Sequence, residues 1–330
     1  MGGAGTAAPR VDCVGPLNMD LLIRGSAPLD PGELRRWVGP SEVELLTAGS
    51  IGYTVQALGR LDCSVRVFSA VGDDAFGAQI LRELAAQGID TSGVRVAPGI
   101  TSIAIYPLLF GGTKRPMTYR LSDITPWPAR VAVDDGGGRP DCLLFAGLLH
   151  FKRMYHSGMA QSFAAARQAG VITALDAQFP LEPTPVPWLP HISDVLAHTD
   201  LFFCDEHEAE SIFGTGSPAR AALSAISHGC RTAVVKMGEE GAIITDGTQV
   251  IEQPAVGLGQ RVDETVGAGD SFDAGFLAAL LRGAGPAEAA RQATATAACS
   301  LVRAGGALAI DPAGVVSMLP SVPPARTVRA

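Results

Sequence analysis

Asp263-Glu264-Thr265-Val266-Gly267-Ala268-Gly269-Asp270-Ser271-Phe272-Asp273-Ala274-Gly275-Phe276 is the stretch on which the reading of this chain turns. Two glycines around an alanine let the backbone bend sharply, so several N–H groups can point into one concavity. A helix-like run from Ser271 to Leu281 follows, and Gly283 suits its C-cap. Converging amides at a helix N-terminus form a site for anions, phosphate above all. Asp270 stands at the rim of that site, where a carboxylate faces a group being transferred. The combination points to phosphoryl transfer. The same residues also suit an ordinary strand-to-helix turn in which Asp270 only caps the helix.

Outward from this stretch, apolar runs of strand length alternate with helical segments. Val11–Val14, Val65–Ala70, Cys142–Ala146, Val171–Leu175, Leu201–Cys204, Ala233–Lys236 and Ala242–Thr245 read as strands. Ala75–Gln87, Gly158–Gln168, Glu206–Phe213, Pro218–Ser227, Ser271–Leu281 and Pro286–Ala304 read as helices. Several strands are apolar throughout, as helices on both faces of a parallel sheet require. The alternation predicts an α/β fold: a doubly wound, mostly parallel sheet. Leu21–Thr47 and Val94–Arg120 break the rhythm with alternating, turn-rich stretches that read as antiparallel strands pairing into a small sheet beside the core.

The chain has 330 residues, 47% of them hydrophobic and 6% aromatic, which suits a large aliphatic core. A net charge of −8 gives no electrostatic footprint for nucleic acid or an anionic membrane. Six dispersed cysteines have no Cys-x-x-Cys pair, so the expectation is buried free thiols in a reducing compartment. Met1–Arg10 has no signal-peptide core, and the longest apolar runs are short of a membrane span. We expect a soluble, cytoplasmic protein. One domain over residues 1–330 is expected, with flexible tails at 1–10 and 321–330.

Three further segments carry side chains suited to chemistry. Gly15-Pro16-Leu17-Asn18-Met19-Asp20 follows the first strand, at the carboxyl end where open α/β sheets bind ligands; Asn18 and Asp20 suit hydroxyl groups, or a plain polar turn. Asp205-Glu206-His207-Glu208 opens a helix and fits a capping box. Val234-Val235-Lys236-Met237-Gly238-Glu239-Glu240-Gly241-Ala242 reads as a hairpin.

The Gly267-Ala268-Gly269-Asp270-x-Phe272 string resembles the C-terminal signature of the ribokinase-like (PfkB-type) carbohydrate kinases, with Glu264 and Val266 departing from it. Gly15-x-x-Asn18-x-Asp20, Gly49 in Ala48-Gly49-Ser50-Ile51-Gly52-Tyr53, and the Lys236–Gly241 turn continue the resemblance in order, from about Val11 to about Ala309. It implies a lid from residues 21–47 and 94–120, Asp270 as catalytic base, and Gly267, Ala268 and Gly269 as an anion hole. It also implies substrate binding by Asn18, Asp20, Gly49 and Tyr53, with Tyr53 in place of the family's asparagine. Lys236, Gly238, Gly241 and Thr296 fall at nucleotide positions. Glu208 and Asp205 fall where the family orients magnesium through water.

The implied activity is ATP-dependent, Mg2+-requiring phosphorylation of a hydroxyl on a sugar or sugar-like molecule. A K+ site and a homodimer through the lid stay open. A nucleoside kinase, with Tyr53 stacking on a base, and a non-catalytic sugar or nucleotide sensor are the alternatives.

Overall fold

The computed structural model describes residues 7–39, 41–109, 118–120, 138–156, 158–259, 262, 265–302 and 306–329. The strands are β1 (Arg10–Val14), β2 (Asn18–Gly25), β3 (Ser41–Ala48), β4 (Ser64–Gly72), β5 (Asp90–Ala97), β6 (Ile103–Leu108), β7 (Thr118–Arg120), β8 (Cys142–Ala146), β9 (Ile172–Asp176), β10 (Leu201–Asp205), β11 (Thr232–Lys236), β12 (Ala242–Thr245), β13 (Gln249–Gln253) and β14 (Arg326–Arg329). The helices are α1 (Pro31–Leu34), α2 (Gly52–Arg60), α3 (Ala75–Ala86), α4 (Met159–Gln168), α5 (Leu189–Leu196), α6 (Glu206–Phe213), α7 (Pro218–Ser227), α8 (Ala268–Leu281), α9 (Pro286–Val302) and α10 (Pro312–Met318).

Ten strands form one sheet in the order β14-β13-β12-β11-β10-β9-β8-β1-β4-β5. From β5 to β11 every pairing is parallel, and the last three are antiparallel. Side chains alternate between two cores. Leu144, Phe203 and Val234 pack on one side with residues of α2, α3, α8 and α9. Phe145, Phe202, Cys204, Ala233 and Val235 pack on the other with residues of α4, α5, α6 and α7. Burial on both faces is why these strands carry almost no polar residues. β1 lies between β8 and β4, so chain order reverses on either side of it. The crevice at such a switch point, beyond the carboxyl ends of the strands, is where open α/β sheets take ligands.

Four strands form the second sheet, in the order β3-β2-β6-β7. Its limits differ from the expected lid. β2 begins at Asn18, so Asn18 and Asp20 belong to the small sheet and not to a loop. Val94–Ala97 belong to β5 of the large sheet, paired to β4. The expected Gly111-Gly112 turn lies outside the described residues. The C-terminal stretch expected as a tail contributes β14, which pairs with β13. Its side chains are all exposed, so hydrogen bonding and not apolar pattern holds it. Residues 1–6 lie outside the described residues, while Arg10 already begins β1.

Candidate active site

α8 begins at the decisive glycine stretch. Gly267 is its N-cap in the left-handed region (φ +78°), and no side chain caps the first turn. An added Cβ there would lie 3.0 Å from the Tyr53 ring, so both dihedral and space require glycine. Asp270 therefore sits within the first turn and is not the cap, against the simpler sequence reading. The Ala268 N–H donates to the Thr265 carbonyl at 3.2 Å, so this member of the expected anion hole already has a partner. Gly269 is exposed at the open end.

The lid strand β2 delivers Asp20, which is buried. Asn18 donates to its Oδ1 at 2.7 Å, and the Tyr53 hydroxyl donates to its Oδ2 at 2.9 Å. Gly49 (φ +103°) brings the start of α2 against this strand; an added Cβ would stand 2.8 Å from Asn18 Oδ1 and 2.9 Å from Asn18 N. Thr54, next to Tyr53, donates to Asp270 Oδ1 at 3.2 Å. The structure thus brings Asn18, Asp20, Gly49, Tyr53, Gly267 and Asp270 together.

Withdrawal from water pushes the Asp20 carboxyl up to about 7; its hydrogen bonds from Tyr53 and Asn18 oppose this, and the charge of Asp270 adds to it. Asp270 keeps a partial opening to solvent but sits deep among protein atoms. Desolvation and then Asp176 raise it to about 7, against Lys236 and the Thr54 bond. Burial and like charge outweigh the helix N-terminus. Desolvation and Asp20 also raise Tyr53 well above a normal phenol, so it stays a donor.

A second cluster lies beside the first. Lys236, at the end of β11, donates to Asp273 of α8 at 2.7 Å and lies 3.4 Å from Asp176 of β9. An added Cβ at Gly269 would be 3.6 Å from its Nζ, so the ammonium lies under the glycine turn. The carboxylates of Asp176 and Asp273 hold Lys236 well above its ordinary value despite burial. Sequence reading assigned Lys236 to nucleotide and gave it neither partner; Asp176 stood in a segment resembling the family's and Asp273 three residues past Asp270, but nothing in the sequence pairs either acid with the lysine.

Asp205 and Glu208 close a complete capping box on α6. The Glu208 N–H donates to Asp205 Oδ1 at 2.8 Å and the Asp205 N–H donates to Glu208 Oε2 at 2.9 Å. Burial, with Asp205 and Asp176 nearby, lifts Glu208 to about 8. Among the described residues no group of three acidic, histidine or cysteine side chains is arranged to hold a metal directly. Gly238 and Gly241 bracket the turn between β11 and β12. Thr296 faces no opening: it is buried against Gly275 of α8, and its hydroxyl donates to the Gln292 carbonyl at 2.8 Å. Glu264, and with it the implied K+ site, lies outside the described residues.

The chain is similar in sequence and in fold to known proteins. The chain is 26% identical over 277 residues to a fructokinase of Rhizobium leguminosarum bv. trifolii, covering 81% of this chain and 78% of that one. A shorter match, 93 residues at 31% identity and 28% of each chain, is to an ATP-dependent 6-phosphofructokinase of Thermoanaerobacterium thermosaccharolyticum. In fold it is similar to an E. coli protein described as a ribokinase II, in complex with ATP and Mg2+, with a TM-score of 0.74, 20% identity and coverage of 94% of this chain and 99% of that chain. The profile of the pfkB family carbohydrate kinases matches residues 9–312, nearly the whole chain, and the protein belongs to that family of phosphotransferases acting on alcohol groups.

Proposed function

We propose that this protein transfers the γ-phosphoryl group of ATP to a hydroxyl of a sugar or sugar-like small molecule, with Asp270 as the base. The observation that carries the reading is the pairing of the buried Asp20 on the lid with the half-buried Asp270 at the uncapped end of α8, through neighbouring hydroxyls of α2. Asp20 and Asn18 hold substrate hydroxyls. Asp270 accepts the proton of the attacking hydroxyl as its oxygen bonds to the γ-phosphorus and ADP departs. First-turn amides of α8, the N–H of the exposed Gly269 foremost, stabilise phosphoryl oxygens, which carry most of the charge in a loose transition state. The small sheet over the site keeps out water, a competing acceptor.

Magnesium fits this site only at second hand. Asp205 and Glu208 spend one oxygen each on the α6 cap, leaving their others to meet the ion's water shell. When bound, the ion would neutralise phosphate charge. K+ activation rests on the family resemblance alone; rates in K+ and Na+ salts test it. A homodimer through the lid draws support from β3, its outer strand, on which Val43 and Leu45 are exposed; sedimentation tests it. Tyr53 is buried with its ring on Gly267 and its hydroxyl on Asp20, which weighs against base stacking and so against a nucleoside.

The test is ATP consumption with Mg2+ over a panel of hexoses, pentoses, sugar acids, amino-acid-conjugated sugars and nucleosides. A sugar-class acceptor that raises ADP release is the expected result. Binding of sugars without turnover by any of them would favour a sensor and overturn this reading.

A further inference from the structure

Thr54 is almost fully buried, at 2% exposure, yet its hydroxyl does not serve its own helix. Helical threonines commonly donate to the carbonyl four residues earlier, as Thr296 does to Gln292. Thr54 instead reaches across to α8 and its hydroxyl donates to Asp270 Oδ1 at 3.2 Å, that hydroxyl's only hydrogen bond among the described residues. Its neighbour Tyr53 donates to Asp20 Oδ2 at 2.9 Å. Adjacent helical residues point about 100° apart, so one turn of α2 serves the lid with one side chain and α8 with the other.

We infer that Thr54 is a positioning residue for phosphoryl transfer, fixing the Asp270 carboxylate so that Oδ2 faces the acceptor hydroxyl. The inference rests on the base role proposed for Asp270. A β-branched side chain in a helix has few rotamers, which suits it to hold an oxygen in place. The groups facing Asp270 are Asp176 from β9, Lys236 from β11, Asp20 from β2, Tyr53 from α2 and Tyr106 from β6. Of these only Lys236 is a cation, and it is held by Asp176 and Asp273. The Thr54 hydroxyl is therefore a donor that favours the ionised base without neutralising it.

The experiment compares Thr54→Val, which removes the hydroxyl and keeps the shape, with Thr54→Ser, Tyr53→Phe and Asp270→Asn. Each is assayed by ADP release with Mg2+-ATP and the best acceptor of the panel above, with folding checked by circular dichroism. Thr54→Val should lower kcat about ten- to a hundredfold with KM little changed. Losing a donor to the ionised form raises the pKa of the base, so the acid limb of kcat/KM should move up by roughly one pH unit. Thr54→Ser should restore both, and Tyr53→Phe should act mainly on KM. Thr54→Ala replaces Thr54→Val if the valine does not fold. Wild-type kcat and acid limb in the hydroxyl-deleted protein, with Asp270→Asn inactive, overturn the role of Thr54. An active Asp270→Asn overturns the base assignment itself, and the inference with it.

Discussion

Two acidic clusters meet at the N-terminus of α8, and they are held in different ways. On the lid side, Asp20 and Asp270 are fastened by neutral donors: an amide, a phenol and a hydroxyl. On the sheet side, Asp176 and Asp273 close on the ammonium of Lys236, which sits beneath the glycine turn. Neutral donors leave the first pair near the edge of ionisation, each pushed up to about 7. In the second cluster the ammonium of Lys236 is held charged by the two carboxylates, while burial, and with it Asp176, pushes Asp273 well up. On the proposed reading, the group that takes up a proton is thus kept apart from groups that hold a backbone still, with the proposed chemistry on one side of the turn and mechanical support on the other.

The most forceful way to break this contrast is Asp270→Asn. Turnover should fall by about two to four decades while acceptor binding, read by calorimetry, stays largely intact. Near-normal turnover would remove the chemical side of the comparison. Lys236→Met attacks the other side. It leaves Asp176 and Asp273 buried without their cation, and a loss of about 3–5 kcal/mol in chemical denaturation is expected. A loss under 1 kcal/mol would show that the lysine is not a support.

Asp20→Ala should lose most of the catalytic efficiency, because a substrate hydroxyl is then left unpaired in a dry pocket. Tyr53→Asn should broaden or shift the acceptor profile while the melting temperature holds. If ribose or fructose is the best acceptor of the unaltered protein, or the profile of Tyr53→Asn is unchanged, Tyr53 does not set specificity.

The mildest effect sharpens the comparison by pH. Glu208 has its pKa raised to about 8 from 4.5, so the folded state binds this proton more tightly than the unfolded chain. Its contribution to stability is therefore full below about pH 4.5 and lost as pH rises through about 8. Glu208→Gln keeps the capping geometry and cannot ionise. It should melt close to the wild type at pH 4 and above it at pH 8.5. It should also need more Mg2+ for half-maximal rate if Glu208 meets the ion's water shell. Parallel melting curves at both pH values would mean that Glu208 is not held neutral.

Much of the scaffold was legible in the chain. Strands such as Ala242–Thr245, and helices such as Glu206–Phe213 and Pro218–Ser227, fall where apolar period and caps put them. Strands buried on both faces write a continuous apolar run, and a helix start writes its cap. β5 and β14 were not legible, because as edge strands they carry polar residues and depend on a partner's backbone, and β13 was hidden because Gln249, Glu252 and Gln253 break its apolar run. The helical start of α2 was hidden because Gly49-Ser50-Ile51-Gly52 read as part of a binding signature.

The class of fold and the glycine turn with its acid are written in the chain through local rules: period, capping and the conformations open to glycine. The order of motifs is written there through family resemblance. Which residues partner which is set in the folded molecule alone. Tyr53 and Thr54 are adjacent in sequence, yet one serves a lid strand 33 residues away and the other a helix 216 residues away. Lys236 turned out to be bound by two carboxylates, and Thr296 to be buried between helices. Ionisation followed the same logic. Asp270 has the same neighbours in sequence whether folded or not, but burial among other charges outweighs the helix N-terminus and decides when it can accept a proton.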